Sequence, residues 1–250
     1  MQKPFLSVVI PAYREVGNLK RGVLKTVHDY LQKQDYSWEV VIVDDGSPDN
    51  TAQEIEKRIG KYKNFRLMKE PHRGKGGTVI AGVLAAKGEI VLFTDMDQAT
   101  PLSEIEKFLP SFKNGADVVI GSRAGRPGEP FMRQIMAYGF MFLRTVILLL
   151  PYRDTQCGFK AFTSSAAKKI FPNMKIFTIN STGMTGVTAA FDLELLYIAR
   201  KMNLKVVESP VNWQHVGSVR VNALRDSWLG FKGLLEVRLN ALKGAYKIRT

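Results

Sequence analysis

The chain has 250 residues, 45% of them hydrophobic and 24% charged, which suits one large or two small globular domains with a full core. Its single cysteine, Cys157, excludes an internal disulfide framework, and His28, His72 and His215 show no metal-ligand spacing. The formal net charge of +13 points to an anionic partner: nucleic acid, an acidic membrane surface or a phosphorylated substrate.

The chain starts Met1-Gln2-Lys3-Pro4 and enters an apolar run over 6–10, so no signal peptide is expected. Leu19, Val23, Leu24 and Val27 give 18–31 a helical period. Residues 38–43 read as a second strand. Asp49-Asn50 then cap a helix over 51–59. A strand over 65–68 leads to the glycine-rich turn Arg73-Gly74-Lys75-Gly76-Gly77 and a helix over 78–86. A strand over 90–93, a helix over 102–112 and a strand over 118–120 follow. Strand and helix in this alternation predict an α/β fold with a mostly parallel sheet covered on both faces.

Ligands of such sheets collect at the carboxyl ends of the strands, and those ends are polar here. They read Pro11-Ala12-Tyr13-Arg14-Glu15, Asp44-Asp45-Gly46-Ser47, Asp95-Met96-Asp97 and Gly121-Ser122-Arg123. Paired carboxylates such as Asp95 and Asp97 can hold Mg²⁺ or Mn²⁺ while leaving positions for phosphate oxygens. Tyr13 can supply a flat ring for a nucleobase, and Asp45 or Asp44 can accept from a base N–H. Glu15 can bond a ribose or the base edge. The turn around Lys75 suits close approach to phosphate, but it has neither Walker A nor dinucleotide spacing.

Together with Val8-Val9-Ile10 and Val43 before the first two of them, these motifs resemble the family-2 inverting glycosyltransferases of the GT-A fold. Asp154-Thr155-Gln156-Cys157-Gly158-Phe159-Lys160, Ala190-Phe191-Asp192-Leu193-Glu194 and Val211-Asn212-Trp213 resemble the dolichyl-phosphate β-glucosyltransferase branch. The polyprenyl-phosphate mannosyltransferases are close relatives of it. The likeness runs from about residue 5 to residue 246 and implies a catalytic domain over 1–222.

The resemblance implies a nucleotide-sugar site at Pro11, Ala12, Tyr13, Glu15, Val43, Asp44, Asp45, Lys75, Asp95, Met96 and Asp97, with Asp45 favoured for the base. It implies a metal on Asp97 and Asp95, and an acceptor phosphate on Arg123 and Arg133. Arg220 is a further candidate cation, standing one position beyond the lysine of the usual Gly-Ser-Lys. Gln98-Ala99-Thr100 follows the glucosyltransferase pattern and favours UDP-glucose over GDP-mannose. A polyprenyl phosphate is largely dianionic at neutral pH, its second pKa being about 6. It therefore needs no general base. A sugar-hydroxyl acceptor would need one, and Asp154 and Asp192 are the carboxylates to inspect.

Two segments bear on membranes. Residues 131–150 are apolar but interrupted by Arg133, Gln134, Gly139 and Arg144, too broken for a span of about 20 apolar residues. An interfacial or acceptor-cradling helix is expected there. In 223–250 an amphipathic helix is expected over 223–246: Leu224, Trp228, Phe231, Leu235, Leu239 and Leu242 form its apolar stripe, with Arg225, Lys232, Arg238, Lys243 and Lys247 beside it. The expected setting is peripheral or monotopic, at the cytoplasmic face of a membrane with an anionic surface. The polar segment 175–187 is a candidate acceptor loop. A nucleic-acid module would interleave exposed aromatics with Lys and Arg. The aromatics here fall mostly at core positions, so nucleic acid is not an expected partner.

Overall fold

The computed structural model describes residues 3–123, 131–176, 188–214 and 223–246. Seven strands form one sheet: β1 (Leu6–Ala12), β2 (Trp38–Asp44), β3 (Phe65–Lys69), β4 (Ile90–Phe93), β5 (Val118–Arg123), β6 (Lys160–Thr163) and β7 (Val206–Val211). Their spatial order is β3-β2-β1-β4-β6-β5-β7. Only β6 runs against its neighbours; every other pairing is parallel. This is the expected mostly parallel α/β sheet. The reversal of β6 has a consequence for the site. Lys160, its first residue, pairs with Phe93 and Ile120 near the carboxyl ends of β4 and β5.

Nine α-helices are described: α1 (Val16–Lys20), α2 (Val23–Leu31), α3 (Thr51–Ile59), α4 (Gly74–Ala85), α5 (Leu109–Lys113), α6 (Phe131–Leu148), α7 (Ser164–Ile170), α8 (Thr188–Lys201) and α9 (Ala223–Leu242). Strand alternation sends Val8 and Ile10 into one core and Val9 into the other, and β2 divides Val40 and Ile42 from Val41 and Val43 in the same way. Both faces of the sheet are therefore buried. Leu24, Val27 and Leu31 of α2 cover one face; Val79, Ile80 and Val83 of α4 and Phe191 and Leu195 of α8 cover the other.

Several boundaries differ from the sequence reading. The expected helix over 18–31 is two helices, because Gly22 adopts φ +81°, a left-handed conformation that a helix cannot continue through. The expected helix over 102–112 is a 3-10 segment, Leu102–Lys107, followed by α5. Helix α4 starts at Gly74, four residues earlier than expected, so the glycine-rich turn lies mostly in its first turn. The last helix ends at Leu242, and Gly244 follows at φ +70°.

Candidate active site

The register brings Ala12 of β1 beside Asp44 of β2, and Val9 beside Phe93 of β4. The loops after these strands thus open on one edge. Because β6 is reversed, the segment entering it, Asp154 to Lys160, reaches the same edge.

On the β1–β2 side, Asp45 is buried and caps α4. Its Oδ1 accepts from the Arg73 N–H at 2.7 Å and its Oδ2 from the Gly74 N–H at 3.0 Å. This explains the early start of α4, since a carboxylate satisfies free N–H groups and favours the positive end of the helix. His72 Nδ1 lies 2.9 Å from the same Oδ2, and the His72 ring stacks on Tyr13 at 4.5 Å. Arg14 lies over the Tyr13 ring at 5.4 Å. Of the two candidate base contacts, Asp45 therefore has both oxygens engaged. Asp44, only 3% exposed, accepts from the Ser47 N–H through Oδ2, while its Oδ1 has no hydrogen-bond partner. Glu15 accepts from Asn18 Nδ2, and its own N–H donates to Thr51 Oγ1 at 2.9 Å. Pro11, Ala12 and Val43 are backbone of the strand ends.

The acidic pair follows β4. Asp97 Oδ1 accepts from the Ala99 N–H at 3.0 Å, closing a tight turn in which Gln98 takes φ +51°. Met96 between the two acids is buried in the core. Asp95 Oδ1 lies 2.5 Å from Lys75 Nζ. Its carboxylate also presses on Gly158, where an added Cβ would fall 2.1 Å from Oδ2. Burial pulls the Lys75 pKa down, but the charge of Asp95, with Asp192 and Asp97 adding, holds it above the ordinary lysine value. No cluster of three or more His, Cys, Asp or Glu residues able to hold a metal occurs among the described residues. Two carboxylates without a third suit a hard cation that takes its remaining ligands from substrate phosphates and water, as Mg²⁺ commonly does.

Behind the pair lies a buried charge couple. Lys160, with no exposed surface, donates to Asp192 Oδ1 at 2.7 Å and to the Cys157 carbonyl, and stands over the Phe93 ring at 5.4 Å. Burial raises the Asp192 carboxyl above the usual range, against the pull of Lys160 and Lys75.

On the β5 side, Arg123 grips Asp154 in a two-pronged pair, Nε to Oδ2 at 2.6 Å and Nη2 to Oδ1 at 2.9 Å. Trp213 lies against the guanidinium at 5.7 Å. Burial works against the arginine charge, yet Asp154 outweighs it and raises the Arg123 pKa. Asp154 is itself set by Glu208 of β7, which accepts the Arg153 and Asp154 N–H groups at 3.0 and 2.7 Å. Arg144 of α6 is buried, donating to Thr155 Oγ1 at 3.0 Å and to the Tyr152 carbonyl. The strap after β7 is tied to the segment after β4: Asn212 N–H donates to Glu104 at 2.9 Å, and Gln214 N–H to the Ala99 carbonyl at 2.8 Å. Asp154 and Asp192, the two candidate bases, are thus both paired with cations. The Arg133 side chain, Arg220 and residues 177–187 lie outside the described residues.

The sequence reading missed His72, Gly158, the Lys160–Asp192 couple and the strap. Gly158, Lys160, Asp192 and Asn212-Trp213 do stand in the family-like motifs of the sequence, but what each contacts depends on pairings across the fold. A further feature lies on α6 and α9, which pack together. Tyr138, Phe142, Val146 and Leu149 on one side, and Trp228, Leu235, Leu239 and Leu242 on the other, are exposed. No helix among the described residues is long and apolar enough to cross a membrane.

The mostly parallel seven-stranded sheet with its reversed β6 is the GT-A fold, and solved glycosyltransferase structures share it. Glucosyl-3-phosphoglycerate synthase from Mycobacterium tuberculosis, in complex with Mn²⁺, uridine-diphosphate and glucosyl-3-phosphoglycerate, superposes with a TM-score of 0.60 at 18% identity, covering 94% of this chain and 80% of that one. The mannosyltransferase PcManGT from Pyrobaculum calidifontis, in complex with GDP-Man and Mn²⁺, gives 0.56 at 17% identity, covering 100% and 77%. A sequence model of glycosyl transferase family 2 matches residues 7–171. The dolichyl-phosphate beta-glucosyltransferase of Dictyostelium discoideum is 33% identical over 98% of this chain and 77% of its own length. That of Homo sapiens is 34% identical over 97% and 78%. The chain belongs to glycosyl transferase family 2, in the group of the dolichyl-phosphate beta-glucosyltransferases.

Proposed function

We propose that this glycosyltransferase moves glucose from UDP-glucose to dolichyl phosphate or another polyprenyl phosphate, with inversion at the sugar. The observation that carries the reaction class is the pairing of Asp154 with Arg123 and of Asp192 with Lys160. A sugar-hydroxyl acceptor needs a free carboxylate base, and neither candidate is free. A phosphate dianion needs none. One acceptor oxygen bonds to the anomeric carbon as the bond to the diphosphate breaks, its electron pair leaves with UDP, and no proton moves. The donor assignment rests on Gln98-Ala99-Thr100 and on the named relatives.

Within this reading the base sits between Tyr13 and the β2 end, and the unpartnered Asp44 Oδ1 is better placed than Asp45 to accept its N–H. Asp95 and Asp97 hold Mg²⁺ or Mn²⁺, which when bound would neutralise charge growing on the leaving diphosphate. Arg123, held by Asp154 and Trp213, offers its remaining guanidinium N–H groups to the acceptor phosphate, a task the family resemblance also gives to Arg133 and, as a further candidate, Arg220. A guanidinium suits that task because its five N–H donors let one group bind a carboxylate and a phosphate at once.

The exposed apolar residues of α6 and α9, with Lys232, Arg238 and Lys243 alongside, rest on an anionic bilayer surface from which the lipid is drawn. The catalytic domain over 1–222 would then be held peripherally at the cytoplasmic face by 223–250. The test is a donor panel of UDP-glucose, GDP-mannose and other nucleotide sugars against a short polyprenyl phosphate. Product from UDP-glucose is expected; product from GDP-mannose alone overturns the donor assignment.

A further inference from the structure

The metal carboxylate Asp95 already has a cation. Lys75 Nζ stands 2.5 Å from its Oδ1, and the two side chains are 36% and 37% exposed. On its other side the carboxylate sits against Gly158, in space that a Cβ there would take, since an added Cβ would lie 2.1 Å from Oδ2. Asp192 and Asp97 add their charges to the hold on Lys75. The backbone beneath Lys75 is fixed as well. Asp45 binds the Arg73 and Gly74 N–H groups, and Thr78 Oγ1 donates to the Gly74 carbonyl at 2.9 Å. The flexible four-carbon stem of the lysine lets its ammonium group move while this backbone stays.

We infer that Lys75 occupies the metal carboxylate in the free enzyme and is handed to the donor diphosphate when metal and nucleotide bind together. A divalent ion held by Asp95 would bring two positive charges to the carboxylate that Lys75 now holds. That ion would strongly repel an ammonium group held 2.5 Å from Oδ1, so Lys75 would leave. The leaving ammonium needs a new anion, and the diphosphate entering beside Asp95 supplies one. Metal without nucleotide must displace Lys75 uncompensated, and nucleotide without metal meets Asp97 with no cation on it while Lys75 is still held by Asp95. Each therefore tightens the other, and the coupling is reciprocal. Lys75 acts as a positioning residue that makes metal occupancy conditional on the donor.

The inference rests on Asp95 and Asp97 as the metal carboxylates, and the experiment separates the two claims. Mn²⁺ binding to the wild-type chain, Lys75→Met and Lys75→Arg is measured by calorimetry and by Mn²⁺ EPR, with and without UDP, after thermal melts confirm folding. Wild type is expected to bind Mn²⁺ weakly alone and at least about fivefold more tightly with UDP. Lys75→Met binds Mn²⁺ more tightly than wild type without UDP, by a similar factor, and UDP adds less. Lys75→Arg keeps the wild-type pattern. A lysine that only contacts nucleotide would leave UDP-free Mn²⁺ binding unchanged, so equal or weaker binding by folded Lys75→Met overturns the inference alone. Absence of Mn²⁺ binding to wild type even with UDP overturns the metal reading and the inference with it.

Discussion

Lys160 and Asp192 meet at 2.7 Å across the join between β6 and α8, and the lysine exposes no surface at all. Two charges taken this far from water stabilise the fold little as a pair, but removing one strands the other. Lys160→Met should destabilise the chain by about 3–5 kcal/mol. The double variant Lys160→Met, Asp192→Leu should recover much of that loss. Urea unfolding of the single and double variants measures both.

Gly158→Ala tests how closely the acidic pair is seated. The added methyl carbon would fall 2.1 Å from Asp95 Oδ2 and push that carboxylate out of place. A misplacement of about 1 Å at a reacting centre can lower the rate roughly a hundredfold. A loss of that order in kcat is expected while the circular dichroism spectrum stays unchanged.

Arg123→Lys keeps a positive charge beside Asp154 but cannot bind that carboxylate in two contacts and still offer N–H groups to an acceptor phosphate. A lost hydrogen bond between charged groups is worth about 1.5–3 kcal/mol, or roughly ten- to a hundredfold. The KM for polyprenyl phosphate should rise accordingly, with the KM for UDP-glucose little changed. Steady-state kinetics varying each substrate separately decide it.

The α6–α9 face predicts binding to vesicles with anionic lipid. Phe142→Asp with Leu239→Asp places two charges on residues that are 67% and 53% exposed, so folding should survive. Co-sedimentation with phosphatidylserine vesicles should fall at least about tenfold, because each buried apolar side chain contributes roughly 1.5–3 kcal/mol. High salt should weaken the wild-type interaction through screening.

The parallel sheet was legible because its strands are continuous apolar runs ending in polar motifs: Val8-Val9-Ile10 into Pro11, and Ile90-Val91-Leu92-Phe93 into Asp95. The reversed β6 was not, since Lys160-Ala161-Phe162-Thr163 is short and begins with a buried charge that no periodicity explains. The same limit applies to the site. Asp44 and Asp45 are adjacent and chemically identical, and only the approach of α4, fixed by the packed fold, engages one and leaves an oxygen of the other unpartnered. Arg123 reads as a free cation in the sequence, but the Asp154 carboxylate that aligns it comes from a loop 31 residues further on.

The central claim is transfer to a phosphate without a base. Its most direct measurement offers UDP-glucose and Mg²⁺ or Mn²⁺ to the enzyme with a short polyprenyl phosphate and, separately, with the matching polyprenol, and identifies the products by mass spectrometry and NMR. A β-glucosyl phosphate lipid formed from the phosphate, with nothing from the alcohol, is the predicted result. A glucoside of the alcohol, an α-linked product, or no lipid product with either acceptor would contradict it.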